Sequence, residues 1–294
     1  MDSIEKAMQR MDAGLGEEVS AGDKSSPFRS MKRGITEDTP THEAPSKSRS
    51  KTLQLDLEML RTRGFVTPDL PRSRAAEEYR LLKRPILKRA LGHKLAPESE
   101  RSNLIMVTSA VAGEGKTFNT FNLAMSMVME YDHTVLLIDA DLLKPQLTRT
   151  LGLEGQRGLV DVLLHPELDL GEVMIRTDIP NFSVVPAGQS HSRTTELLAS
   201  QQMDKLAEEI SRRYPERIVI FDTSPLLATS QPSVLAHIVG QIVLVVEAEH
   251  TPQRAVVEAL SLLDRSKPIW MVLNKSRELF GSGTSDRYYY YGYS

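Results

Sequence analysis

The segment AVAGEGKT, Ala110 to Thr117, sets two glycines and a Lys-Thr pair between an apolar run, LIMVTSA, and a stretch of helical character, KTFNTFNLAMSMVMEY. That arrangement suits a polyphosphate. Gly113 and Gly115 let backbone N–H groups turn inward, and a helix starting near Lys116 adds the positive end of its dipole. Ala112, Glu114 and Phe118 complete the loop and its exit, and count with these residues as the expected nucleotide contacts. Lys116 would bridge the β- and γ-phosphates of a nucleoside triphosphate, and the Thr117 hydroxyl would ligate Mg²⁺. The pattern is GxxxxGK[ST], except that Ala110 stands at the first glycine.

Carboxylates follow at the ends of two later apolar runs. VLLIDADLLKP places Asp139 and Asp141 just past the second run, two residues apart and able to project the same way. IVIFDTSP places Asp222 at the end of another such run, where it would hold Mg²⁺ through water. Mg²⁺ prefers one or two carboxylates beside phosphates and waters, so Thr117, Asp139 and Asp222 form the expected metal set. Plainer readings exist for each: a small-residue turn that binds nothing, a solvated strand end, a cap on the next turn. Three such motifs in order, each at the end of an apolar run, favour the chemical reading. The last residues, DRYYYYGYS, hold five of the eight tyrosines of the chain: Tyr288, Tyr289, Tyr290, Tyr291 and Tyr293. Consecutive tyrosines do not suit a packed core, so their hydroxyls are the expected reason for them.

The elements that must position these groups are buried-type strands alternating with helices. The expected strands are LIMVTSA, TVLLIDA, NFSVVPA, RIVIFDT, QIVLVVEAE and PIWMVLNK. Near-continuous Val, Ile and Leu runs between helices indicate an α/β fold with a mostly parallel central sheet covered on both faces. RAAEEYRLLKRPILKRAL predicts a helix that Pro85 should kink or interrupt. TTELLASQQMDKLAEEISRRY predicts one long amphipathic helix, and Thr251 with Pro252 predicts an N-cap and first helical position. Residues 1–50, rich in Ser, Thr, Pro and charge, are expected to form a disordered arm. Residues 51–72 are expected to be a short helix and a Pro-containing linker, 73–275 the domain, and 276–294 a flexible tyrosine tail.

Composition narrows the function. A net charge of −3 calls for no nucleic-acid partner, and the absence of cysteine excludes disulfides and thiolate metal sites. The N-terminus has no apolar leader core, and no apolar run approaches the length of a membrane span. The expected location is therefore cytoplasmic, with any inner-membrane association made through a partner.

The motif set resembles the bacterial tyrosine kinases, P-loop proteins unrelated in fold to eukaryotic protein kinases. Members carry a Walker A loop, an additional hhhDxD motif, a Walker B strand and a C-terminal tyrosine cluster, here AVAGEGKT, VLLIDADLLKP, IVIFDTSP and YYYYGYS. The likeness runs from Arg74 to the C-terminus and implies a P-loop NTPase-like fold. It implies ATP and Mg²⁺ as cofactors, the five tail tyrosines as phosphoacceptors, and Lys116, Asp139 and Asp141 as catalytic residues. Tyrosine, with a free pKa of about 10, needs a carboxylate to accept its proton. Asp139 or Asp141 is the candidate base and the other would help order the metal shell, with Asp139 expected nearer Mg²⁺ and Asp141 nearer the tyrosine. Asn274, in VLNK, corresponds to an asparagine that reads the adenine edge in related ATPases. The family's E-x-x-R-x-x-R subunit contact falls on Glu77, Arg80 and Lys83, with lysine for the last arginine.

RGFVTPD, RSRAAEEYRLLKRPIL and the tyrosine ending are most similar to stand-alone autokinases of exopolysaccharide and exosortase gene clusters. That likeness implies a homo-oligomer, possibly ring-shaped, a separate transmembrane chain-length-determinant activator and a tyrosine phosphatase. Two positions depart from the family: Leu143 replaces an arginine after the hhhDxD motif, with Lys144 keeping one charge, and Ser224 replaces a proline after Walker B. The partitioning and division-site ATPases are the alternative. They carry an extra lysine five positions before the loop lysine, where this chain has Val111, and they lack a tyrosine tail. A nucleotide-binding scaffold without catalysis is the third reading.

Overall fold

The computed structural model describes residues 52–92, 101–130, 132–214 and 216–276. The arm at 1–50 and the tail tyrosines lie outside the described residues. Seven strands form one sheet in the order β3-β4-β2-β5-β1-β6-β7: β1 (Leu104–Ser109), β2 (Thr134–Asp139), β3 (Ile175–Arg176), β4 (Phe182–Val185), β5 (Arg217–Asp222), β6 (Gln241–Glu247) and β7 (Ile269–Asn274). All pairings are parallel except β3 with β4. The two-residue β3 is the strand that the apolar runs did not indicate; it is too short to carry a pattern.

Alternation along the strands divides the apolar residues between the two faces of the sheet. Ile105, Val107, Val135, Leu137, Ile218 and Ile220 pack with the helices α1 (Leu57–Thr62), α2 (Arg74–Leu91) and α3 (Lys116–Val128). Leu104, Met106, Leu136, Ile138, Val219 and Phe221 face the opposite core. There they meet α5 (Leu159–Leu164), α7 (Thr194–Leu198), α8 (Gln201–Arg213), α9 (Gln231–Ile238) and α10 (Gln253–Ser261). The one-turn α4 (Gln146–Thr150) and α6 (Leu170–Val173) complete the chain order. In α8 the buried residues are Met203, Leu206, Ala207 and Ile210, an i, i+3, i+4, i+7 stripe. Burying its three larger side chains contributes roughly 1.5–3 kcal/mol each.

Four local expectations are corrected. The boundary drawn at residue 73 falls inside the packed unit, because Leu60 and Val66 are buried in the same core as α2 and α3. Asp56 starts α1 by accepting the Met59 N–H at 2.8 Å. Pro85 does not end α2. Its missing N–H falls on the exposed side, and buried Ile86, Leu87 and Ala90 anchor the turns beyond it. The long helix expected from Thr194 is two helices, because Ser200 leaves helical geometry and caps α8 through the Met203 N–H at 3.2 Å. Finally, α10 starts one residue later than expected, with Pro252 as the flanking residue. Thr251 instead donates its hydroxyl to Glu114 of the glycine loop.

Candidate active site

Register brings the acidic strand ends together. The Cα of Asp139 pairs with that of Asp222 between β2 and β5, and Val107, just before the glycine loop, pairs with Asp222 from the other side. The three motifs therefore open onto the carboxyl end of the sheet, around its central strands. This is where open α/β sheets bind ligands.

The loop itself is braced from behind. Glu114 is buried, and its carboxylate accepts the Val111 N–H at 2.7 Å, the Glu247 N–H at 3.3 Å and the Thr251 hydroxyl. Its side chain is thus turned into the protein, and only its backbone is left for a ligand. Gly113 and Gly115 have φ of +93° and +91°, a left-handed region that favours glycine. A Cβ on Gly115 would also lie 2.2 Å from Asn274 Nδ2. Asn274, at the end of β7, donates to the Glu114 carbonyl at 2.8 Å. The next residue, Lys275, donates to the Gly113 carbonyl at 2.8 Å and pairs with Glu247 at 2.9 Å. Phe118 packs against Phe65, with ring centroids 4.9 Å apart. Beside the loop, Tyr79, Phe118, Asn119, Met271 and Asn274 line a cavity of about 630 Å³.

At the other side of the loop one lysine meets three buried carboxylates. Lys116 Nζ lies 2.9 Å from Asp141 Oδ2. Thr117 and Thr120 donate their hydroxyls to the two oxygens of Asp222, at 2.7 and 2.9 Å. Asp139 accepts the Asp141 N–H at 3.2 Å on one oxygen, and the N–H and hydroxyl of Thr148 at 2.8 and 2.7 Å on the other. Burial opposes the Lys116 charge, yet Asp222, Asp141 and Asp139 outweigh it and hold the ammonium above its ordinary range. Burial, then the charge of Asp222, pushes Asp139 up to about 7 against its bonds to Thr148. Burial also raises Asp222, although Lys116 and the two threonines oppose it.

Three carboxyl groups face one ammonium, and burial together with their mutual repulsion raises Asp139 and Asp222; a divalent cation would stabilise their ionised forms. Thr117 and Asp222, already hydrogen-bonded to one another, are oxygen donors of the kind Mg²⁺ takes, with phosphate and water for the remainder. Among the described residues no group of three or more His, Cys, Asp or Glu side chains is placed to hold a metal ion. Thr117 and Asp222 would hold such an ion only together with phosphate and water oxygens.

Lys116, Thr117, Asp139, Asp141, Asp222, Gly113, Gly115 and Asn274 are thus brought together. Lys83 is not available where a subunit contact needs it. It is 3% exposed, its ammonium pairs with Glu130 at 2.6 Å and donates to the Ser126 carbonyl. Successive steps of three residues drift around a helix, and the third member of the set reaches the inner face. Glu77 and Arg80 stay half-exposed and pair with one another. Sequence reasoning missed Thr120 and Thr148. Thr120 was within reach, one turn after Thr117 on the same helix; nothing near Thr148 signalled that it would fold back on Asp139.

Fold and site define a P-loop nucleotide-binding α/β protein. The matching family is described as an AAA domain and covers residues 102–267. The tyrosine-protein kinase YwqD of Bacillus subtilis (strain 168) is 30% identical over 233 residues, which cover 77% of this chain and 94% of YwqD. The tyrosine-protein kinase ptk of Acinetobacter johnsonii is 35% identical over 145 residues, 49% of this chain and 19% of ptk. The chain thus spans nearly all of one such relative and a small part of the other. The solved kinase domain of Escherichia coli tyrosine kinase ETK superposes with a TM-score of 0.59 at 26% identity, covering 77% of this chain and 91% of that domain. The chain belongs to the bacterial tyrosine-protein kinases. Among the described residues, no helix is long and apolar enough to cross a membrane.

Proposed function

We propose that this chain transfers the γ-phosphoryl group of ATP to tyrosine hydroxyls, its own Tyr288, Tyr289, Tyr290, Tyr291 and Tyr293 among them. The observation that carries the reading is the ion pair of Lys116 with Asp141, beside Thr117 and Asp222, at the mouth of the glycine loop. When a triphosphate occupies the loop, Lys116 turns to its phosphates and releases the Asp141 carboxylate. A free tyrosine hydroxyl, with a pKa of about 10, needs a proton acceptor at neutral pH. Asp141 supplies it. Asp139, expected beside Mg²⁺, has both oxygens committed to the Asp141 N–H and to Thr148, so it holds the strand end in place and leaves the metal to Thr117 and Asp222. The bond from the γ-phosphorus to the β–γ bridging oxygen breaks and one to the tyrosine oxygen forms. The phenolic proton passes to Asp141, and ADP leaves. Bound Mg²⁺ supplies charge neutralisation on the transferring phosphoryl group, held by Thr117 and Asp222. Asn274 and the adjoining cavity receive the base.

From Lys275 to Tyr288 the chain spans 13 residues, about 45 Å at full extension, which reaches its own site or that of a neighbouring copy. Transfer in trans within a homo-oligomer, with Glu77 and Arg80 at the contact, follows the family pattern. So does control of exopolysaccharide polymerisation and export through a separate transmembrane activator and a tyrosine phosphatase. Each phosphate adds about −1.5 to −2 charges, so a loaded tail is repelled from the acidic site and the assembly loosens. The test compares the full chain with a variant carrying phenylalanine at all five tail tyrosines, each incubated with ATP and Mg²⁺. Phosphotyrosine is expected in the wild type and at most about a tenth of it in the variant. Equal labelling of the two would move the acceptor elsewhere, and ATP hydrolysis without label would overturn the kinase reading.

A further inference from the structure

Tyr79 reaches from α2 into the base of the glycine loop. Its hydroxyl, among buried groups, donates to Asn119 Oδ1 at 2.8 Å. Asn119, in the first turn of α3, donates to the Gly115 carbonyl through both its backbone N–H and its Nδ2, each at 2.9 Å. The direction of this chain of bonds is fixed from its far end. Asn122 Nδ2 donates to the Tyr79 oxygen at 3.4 Å, and Asn122 Oδ1 is itself occupied by the Val66 N–H at 2.7 Å. The Tyr79 hydrogen is therefore left for Asn119, which must keep its oxygen toward Tyr79 and its nitrogen toward Gly115. A reversed Asn119 amide would set two carbonyl oxygens face to face.

The carbonyl of Gly115 and the N–H of Lys116 belong to one planar trans peptide and point in opposite directions. Whatever pins the carbonyl aims that N–H. We infer that Tyr79 is a positioning residue for the nucleotide: through Asn119 it holds the Gly115–Lys116 peptide with its N–H toward the phosphates. The inference rests on the nucleotide reading of the loop given above. It assigns a task to a hydroxyl that packing alone does not require, since phenylalanine would fill the same space. Burial pushes the Tyr79 hydroxyl up to about 12, so it stays a donor throughout the range in which the protein is handled. It also joins the loop directly to α2, the helix that carries Glu77 and Arg80.

The test is Tyr79→Phe in the full chain, with Mg·ADP affinity measured by calorimetry, ATP KM and kcat by phosphotyrosine formation, and folding by circular dichroism. Loss of one hydrogen bond of ordinary strength predicts about a five-fold weaker Kd and a matching rise in KM, with kcat at saturating ATP within about two-fold. Asn119→Ala should weaken binding at least as much, and adding Tyr79→Phe to it should change nothing further. A folded Tyr79→Phe variant that binds Mg·ADP as the wild type does, or effects that simply add in the double variant, would overturn the inference alone. A wild-type chain that takes no Mg·ADP would overturn the nucleotide reading and this inference with it.

Discussion

Replacing Lys116 with methionine is expected to lower phosphotyrosine formation on the order of 10³-fold. In the proposed function the ammonium is the cation that meets the triphosphate, and removing one preorganised charged donor costs about 10²–10³ in rate. Methionine keeps most of the apolar stem and loses the ammonium, with both its charge and its hydrogen bond to Asp141. The same substitution should destabilise the unliganded protein by about 3 kcal/mol, because it leaves Asp141, Asp139 and Asp222 without their facing cation. Adding Asp141→Asn to the variant should recover much of that stability without recovering activity. Urea unfolding beside the phosphotyrosine assay checks both. A Lys116→Met variant that labels at the wild-type rate would remove the lysine from the chemistry.

Asp222→Asn is expected to lose activity on the order of 10²-fold and to require more Mg²⁺ for what remains, yet to change stability in the opposite direction. The carboxyl of Asp222 is raised by burial in the folded chain. Between its unfolded value and that raised value the native state binds more protons than the unfolded one. Stability therefore falls as pH rises through that window, and the cost persists at neutral pH. Asparagine removes that charge. Its amide oxygen accepts from one of Thr117 and Thr120, and the other hydroxyl can turn to accept from the amide nitrogen. The variant should melt at or above the wild-type temperature at pH 7.5. Melting well below it would mean that the carboxylate is a structural acceptor first. Two variants that both silence the site while moving stability in opposite senses cannot be explained by misfolding.

The large features of this molecule are written in single residues that have few alternatives. Val, Ile and Leu in uninterrupted runs announce buried parallel strands, and a carboxylate at the end of such a run has nowhere to go but the carboxyl edge of the sheet. That is why the sequence alone brings Asp139, Asp141 and Asp222 together at that edge. Glycine before Lys116 was legible for the same reason: only glycine tolerates the φ of +91° with Asn274 pressed against it. What stayed hidden depends on side chains choosing between near neighbours. Glu114 looked like a loop residue facing a ligand and is a buried brace, because Thr251 and two backbone N–H groups lie behind it. Thr251 was expected to cap a helix and serves that brace instead. Lys83 shares a helix with Glu77 and Arg80 but turns inward, where Glu130 and the end of α3 receive its charge. The role of Thr148 depends on α4 folding back against the end of β2. Pro85 is tolerated within α2 because the turns on either side are held by tertiary packing, which no local pattern encodes.

In the proposed mechanism Lys116 leaves Asp141 for a triphosphate while Thr117 and Asp222 hold its metal. A crystal structure of the chain with Mg²⁺ and a non-hydrolysable ATP analogue tests it most directly. The expected result is Lys116 Nζ within hydrogen-bond distance of the β- and γ-phosphates, Asp141 free and facing the γ-phosphorus, and Mg²⁺ on the Thr117 hydroxyl with Asp222 within one water of it. An analogue seated elsewhere, or one bound in the loop with the Lys116–Asp141 pair intact and Asp222 turned from the metal, would contradict it.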